Sequence, residues 1–297
     1  MSTLNKACAS VALCLCCCLP MRSGSVGPLL HTAWAQTYPY NAECPDGMLA
    51  GCVAVAMAQV MNYHQYPPHG TGSNTYRWNS VRLTADFAHT WYRWQDMDHL
   101  DPSASQLIYH CGVAVWMDYS TSFSGSNEYY AKSALTDFFG YSEDIVLRSR
   151  QLYSDEEWGE MLRDDLCHGW PIIYSSGGHT FVVDGYDDQG LFHANMGFGA
   201  GGGNRYYTLQ QLGSRQNSTA LLHIHPPLDD PSQGQASEPG TSGSSRLVVY
   251  FKDATSCAIP CADIESLRVA EGTLCIDGTD ASLGAYPLSD VSYMTTY

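Results

Sequence analysis

Ala50-Gly51-Cys52-Val53-Ala54-Val55-Ala56-Met57-Ala58-Gln59-Val60-Met61-Asn62-Tyr63-His64 reads as a tight turn that delivers a cysteine to the first residue of an apolar helix. Gly51 supplies the backbone freedom for a sharp approach. Residues 53–61 are only Ala, Val, Met and Gln, so the helix is expected to be buried nearly all round. Tyr66-Pro67-Pro68 ends it, because proline lacks the amide donor and clashes with the preceding turn. Cys52 then stands where unpaired amides and the helix dipole favour negative charge. A thiol in such a place carries more thiolate, which a nucleophile needs. The plain alternative is a small cysteine filling the core.

Working outward, a nucleophilic cysteine needs a base. Among 11 histidines, His179 stands apart within Gly177-Gly178-His179-Thr180-Phe181-Val182-Val183-Asp184-Gly185-Tyr186. The two glycines are expected to allow close backbone approach, and the strand after them to fix the ring. A neutral imidazole takes the thiol proton, and the resulting ion pair stabilises the thiolate. A third group usually orients the imidazole. Asn195 is the candidate, since it ends the strand that would pair with the His179 strand across the Asp187–Gly190 hairpin. A glycine-rich loop, Gly197 to Gly203, follows it. Gln36, in an irregular segment ahead of the cysteine, is placed to donate to an oxyanion.

The rest of the pattern sets the architecture. Helices are predicted over Ser103–Met117, over Glu128–Phe139, and from a Ser154/Glu157 capping box to about Cys167. The aromatic segments Tyr76–Trp78 and Trp91–Trp94 read as core-facing strands or packed extensions. Strands are predicted at Pro171–Tyr174, Thr180–Tyr186, Leu191–Asn195, Tyr206–Leu209 and Ala220–Ile224. Helices followed by an antiparallel sheet make an α+β fold. Residues 226–245, rich in Pro, Ser, Gly, Gln and Asp, read as a linker, and residues 246–297 as a small all-β module. Residues 1–25 resemble a secretory signal, with Lys6, an apolar run from Ala7 to Leu19 and small residues at Ser23–Ser25. That run is too short to span a bilayer. The alternative for these residues is a spurious leader.

The chain carries 14 basic and 30 acidic residues, a net charge of −16, which argues against binding nucleic acid or anionic membrane by charge. Five of its 12 cysteines lie in the first 18 residues, and no later pair has C-x-x-C spacing, so a zinc ribbon is not expected. A metal-binding alternative would use His64 and His69, or His223 and His225, with Cys257 and Cys261.

The order glutamine, cysteine, histidine, asparagine matches papain-like peptidases. Gly51-Cys52-Val53-Ala54-x-Ala56-Met57-Ala58-Gln59 with Met61 to Pro67 resembles the streptopain family of secreted bacterial cysteine peptidases. So do Gly177-Gly178-His179-x-Phe181-Val182-x-Asp184-Gly185 and Gly112-Val113-Ala114-Val115-x-Met117-Asp118-Tyr119 with Ser124-Gly125-Ser126. The resemblance covers residues 27–225. It implies a papain-like fold, protein or peptide substrates and no metal or cofactor. Cys52 would be the nucleophile and His179 the base and later acid. Gln36 with the Cys52 amide would form the oxyanion hole, and Asn195 would hold His179. Gly51, Tyr119, Ser124, Gly125, Ser126, Gly177, Gly178, Gly197 and Phe198 would shape the cleft. The family pattern Asn-Trp-Gly-Trp-Gly-Gly is here Asn195-Met196-Gly197-Phe198-Gly199-Ala200, so both tryptophans are replaced. The family is made with a long inhibitory propeptide, and no segment of that size precedes Gln36 here, so a mature fragment or a different control is expected. The expected function is a secreted cysteine endopeptidase. The alternative is a peptidase-fold binding protein that has lost activity.

Overall fold

The computed structural model describes residues 24–97, 102–227 and most of 246–296. Most of the signal-like stretch 1–25 and of the linker stretch 226–245 lies outside the described residues. Helix α1 (Cys52–His64) forms where the apolar run requires it, and every residue from Cys52 to Met61 is buried. Gly51 ahead of it has φ 91°, and a Cβ there would lie 2.5 Å from the Met117 sulfur. Both the left-handed backbone and the close approach demand glycine. The helix ends on Gln65 in the left-handed conformation, its amide donating to the Asn62 carbonyl, before the two prolines.

α2 (Pro102–Ala114) and α3 (Glu128–Asp137) pack with α1 around Trp34, Met57, Leu107, Leu135 and Phe139. Strands β1 (Ser73–Trp78) and β2 (Val81–Asp86) form a separate hairpin. Only the first of the two aromatic segments is therefore a strand. The second leaves Trp91 exposed and buries Trp94 in a short 3-10 turn.

The second half of this unit is a six-stranded antiparallel sheet. In chain order its strands are β3 (Val146–Ser149), β4 (Ile172–Ser176), β5 (His179–Tyr186), β6 (Phe192–Asn195), β7 (Arg205–Tyr207) and β8 (Ser218–Leu222); across the sheet they run β3-β8-β4-β5-β6-β7. Alternate side chains face opposite ways. Ile173, Val182 and Leu221 join the core on the α1 side. Ile172, Tyr174, Phe181 and Val183 join a second core with Trp158, Leu162 and Leu166 of α4 (Asp155–Cys167). The sheet is thus clamped between α1 and α4, and α1 rests on β4 and β5. The capping box of α4 forms as predicted.

One sequence expectation is corrected. The strand expected through Leu209 stops at Tyr207, because Thr208 and Gln211 form a capping box that starts the short helix α5 (Leu209–Leu212). Edge strand β3 carries no expectation, since the order Val146-Leu147-Arg148-Ser149 is too short and mixed to announce itself. Beyond residue 245, β9 (Arg246–Phe251), β10 (Ser256–Pro260), β11 (Ile264–Ala270), β12 (Thr273–Gly278), β13 (Ser282–Pro287) and β14 (Val291–Thr296) form two three-stranded antiparallel sheets, ordered β10-β9-β14 and β11-β12-β13.

Candidate functional site

Ser176 and His179 are register partners that close the β4–β5 hairpin. Between them Gly177 and Gly178 have φ 62° and 82°, the two positive values of a type I′ turn. An added Cβ on either would meet nothing within 4 Å. The expectation of close backbone approach is therefore corrected: the turn needs glycine for its backbone sign, and the turn fixes where His179 begins β5.

The His179 ring is held by its surroundings in three ways. Its Nε2 lies 2.9 Å from the Met196 carbonyl oxygen. A carbonyl only accepts, so this nitrogen carries a proton, and in the neutral ring Nδ1 holds the lone pair. Phe198 stacks on the ring, 4.5 Å between centroids and 8° between planes, and Phe181 stacks at 6.0 Å and 27°. Burial pushes the ring's pKa below the ordinary histidine value, and the Met196 carbonyl opposes that shift.

Asn195 does not hold the ring directly, which corrects the sequence expectation. In the β5–β6 register it stands opposite Val182, three residues past His179. Its side chain is buried and turned toward α1. Its Nδ2 donates to the Thr32 carbonyl at 2.8 Å, and its Oδ1 accepts from Gln59 Nε2 at 3.3 Å and from the Gly197 amide at 3.1 Å. It thereby shapes the turn that presents the Met196 carbonyl, helped by Asn204 Oδ1, which accepts from the Met196 amide at 2.9 Å.

Gln59 is a residue the sequence reading passed over. It is 1% exposed in the middle of α1. Its Oε1 accepts from Thr32 Oγ1 at 2.9 Å and from the Trp34 amide at 3.2 Å, while its Nε2 reaches Asn195. One amide thus ties three segments: the helix, the stretch leading to Gln36, and the end of β6. The available signal was a lone polar residue in an otherwise apolar run. Gln36 itself is half-buried, and its carbonyl accepts from the Ala50 amide at 2.9 Å, which lays it beside the Gly51–Cys52 turn.

Cys52 and His179 open on one cavity of about 400 Å³. Of the expected cleft residues, Gly125, Ser126 and Gly178 line it. The others do not, and have different work. Gly51, Gly177 and Gly197 set backbone turns with positive φ. Tyr119 is buried in the core, and Phe198 lies against His179. Ser124 closes its own loop, its Oγ accepting from the Ser120 amide at 2.9 Å. The cavity brings in residues the sequence did not flag, among them Glu128, Ser149, Ser175, Ser176 and Ser218.

Two other thiols of this unit are far from reactive. Burial pushes Cys44 up to about 12 and Cys111 higher still. Among the described residues, no group of three or more His, Cys, Asp or Glu could hold a metal. His223 is instead paired to buried Asp165, Nδ1 to Oδ1 at 2.9 Å. The Cys257 and Cys261 side chains lie outside what is described. No helix of the described residues is long and apolar enough to cross a membrane.

Known proteins are similar to this chain. The thiol protease/hemagglutinin PrtT of Porphyromonas gingivalis is 30% identical over 220 residues, 64% of this chain and 25% of that protein. Streptopain of Streptococcus pyogenes is 31% identical over 170 residues, 50% of this chain and 43% of that protein. The chain therefore spans less than half the length of either curated relative. Among solved structures, a fragment of Prevotella intermedia prointerpain A is similar at 31% identity and TM-score 0.64, covering 68% of this chain and 73% of that one. Active interpain A cysteine protease from the same organism is 32% identical with TM-score 0.61, covering 66% of this chain and 94% of that one. The papain-like α+β fold expected from the sequence is thus the one this chain has. The peptidase C10 family model matches residues 34–207, more than half of the sequence, including the helix that begins at Cys52 and the strand that begins at His179, so this chain belongs to the peptidase C10 family.

Proposed function

We propose that this protein is a cysteine endopeptidase acting on proteins or peptides outside the cell. The observation that carries the reading is the shared cavity of Cys52 and His179, with the His179 proton fixed on the nitrogen that faces the Met196 carbonyl. The remaining nitrogen, Nδ1, is the one able to take the thiol proton.

The chemistry then runs in two halves. The Cys52 thiolate attacks the substrate carbonyl carbon, and the carbonyl oxygen becomes an oxyanion. The Cys52 amide at the start of α1 and the Gln36 side chain donate to that oxyanion. The His179 imidazolium gives its Nδ1 proton to the leaving amine as the C–N bond breaks, leaving a thioester on Cys52. Water then attacks the thioester, and His179 takes a proton from it. The C–S bond breaks, the acid product leaves, and the thiolate–imidazolium pair is restored. Asn195 and Gln59 act at one remove, by holding the turn that carries the Met196 carbonyl. Phe198 restores a flat ring contact on His179 where the family pattern has tryptophan, which favours the enzyme over a binding protein with a failed site. Support for export is the signal-like composition of residues 1–25, and the family's propeptide is a candidate partner.

The test is hydrolysis of a fluorogenic peptide together with labelling by a peptidyl electrophile at pH 6–7. Rapid labelling confined to Cys52, and loss of both signals in a folded Cys52→Ser variant, are expected. Slow labelling spread over several cysteines without hydrolysis would leave a binding protein.

A further inference from the structure

The cavity runs on from Cys52 and His179 over a floor of short hydroxyl side chains. Ser175 Oγ and Thr180 Oγ1 pair at 2.7 Å. Ser218 Oγ donates to the Ser214 carbonyl at 2.7 Å and lies 3.0 Å from Ser176 Oγ. These hydroxyls are hydrogen-bonded among themselves and to the main chain, so the floor is neutral and polar, unlike the bulky apolar lining common in ligand sites. At about 400 Å³ the space suits one long substrate side chain.

Apart from Cys52 and His179, one residue with an ionisable side chain lines this cavity: Glu128. Glu128 is the first residue of α3, fixed in place by the Asn127 cap, whose side chain accepts from the Tyr130 amide. It is half-buried, and among the described residues no arginine or lysine forms an ion pair with it. Of the cations flanking this wall, Arg150, beside Ser149, is engaged elsewhere, binding Asp155 at 3.0 Å and the carbonyls of Leu209 and Gly213, and Lys132, one turn along α3 from Glu128, forms no ion pair with it among the described residues. The whole chain, at −16, also draws cations toward it.

We propose that Glu128 makes this cavity a subsite for a lysine or arginine side chain of the peptide whose bond Cys52 attacks. The inference rests on the peptidase reading above and adds to it a preference in substrate charge. A charge-assisted hydrogen bond to a half-buried carboxylate supports about 10- to 100-fold discrimination over a neutral side chain of the same shape.

The experiment uses fluorogenic peptides that differ only in arginine against citrulline, with the pair moved one position at a time along the peptide. The wild-type chain is expected to prefer arginine at one position by about 10- to 100-fold in kcat/KM, with the ratio shrinking as salt is raised. Glu128→Gln should bring that ratio to near 1, and Glu128→Lys should reverse it toward a glutamate-bearing peptide. A ratio is insensitive to partial loss of folded enzyme, because both peptides meet the same preparation. The same pairs are bound to Cys52→Ala and followed by fluorescence anisotropy. No hydrolysis by the wild type would overturn the peptidase reading, while the ratio of Kd values would still decide the role of Glu128. Equal treatment of arginine and citrulline at every position, or a ratio unchanged in Glu128→Gln, would overturn the subsite.

Discussion

Replacing Gln59 by methionine tests how the site is held together. Methionine matches the length and volume of glutamine, so the variant removes hydrogen bonds without opening a cavity. Three bonds go: to Thr32 Oγ1, to the Trp34 amide and to Asn195 Oδ1. Their costs differ. The Trp34 amide is in the core and is left without an acceptor, which costs about 1–3 kcal/mol. The Thr32 hydroxyl is only half-buried and turns to water, and Asn195 Oδ1 keeps the Gly197 amide at 3.1 Å, so together these add about 1 kcal/mol. The sum is about 2–4 kcal/mol. For a unit of this size that lowers the melting temperature by roughly 4–16 °C. The loss also loosens the turn carrying the Met196 carbonyl, so kcat should fall roughly tenfold or more with little change in KM. Thermal melts followed by circular dichroism give the first quantity, and steady-state peptide hydrolysis the second. A Gln59→Met protein that melts within 1 °C of the parent and turns over at the same rate would refute the reasoning.

Gln36→Ala should lower kcat by about 10²- to 10³-fold, the usual loss for one oxyanion donor, and a fully active variant would remove Gln36 from that role. Phe198→Ala strips the stacked ring from His179. With a ring pair contributing about 0.5–1.5 kcal/mol, hydrolysis should slow about 2- to 12-fold while Phe198→Trp stays close to the parent; equal losses in both would sink the stacking argument. Burial pushes His64 down to about 3, and its Nε2 is closed off without a partner. The folded chain then binds fewer protons than the unfolded one below pH 6.5, so this contribution is complete above 6.5 and is lost as pH falls toward 3, by about 1.4 kcal/mol per unit. His110, pushed down to about 4 by burial, acts in the same direction. Urea titrations of His64→Phe at pH 7, 5.5 and 4.5 should therefore show a shallower acid loss than the parent, though not a flat one; an unchanged slope would count against the assignment.

Much of this site could be read from local sequence. A cysteine at the head of an unbroken apolar run, and a histidine just after two glycines and before an alternating strand, are patterns whose causes lie within a few residues. The α4 capping box is legible for the same reason, and so, in retrospect, is the one formed by Thr208 and Gln211. What sequence could not supply was partnership across the chain. Asn195 and His179 lie on paired strands, yet the register sets Asn195 against Val182 and its side chain against Gln59, 136 residues earlier. Which carbonyl meets the imidazole depends on the exact turn after β6. The cavity wall is likewise assembled from the head of α1, the 123–126 loop, the head of α3, the end of β3, the β4–β5 hairpin and the start of β8, places with no common motif.

The acceptor for the His179 ring is a main-chain oxygen, and this has a consequence for how the sequence can drift. A side-chain acceptor disappears with a single codon change. An oxygen of the peptide bond survives any substitution at position 196 that leaves the turn intact. Side chains other than methionine could therefore occupy this place, while the imidazole goes on seeing the same atom. Mutational tolerance should be high at residue 196 itself and low at Asn195, Gly197 and Asn204, whose contacts set the path of the turn. The orientation of the His179 ring is thus inherited through its neighbours' geometry, not through its own partner's identity.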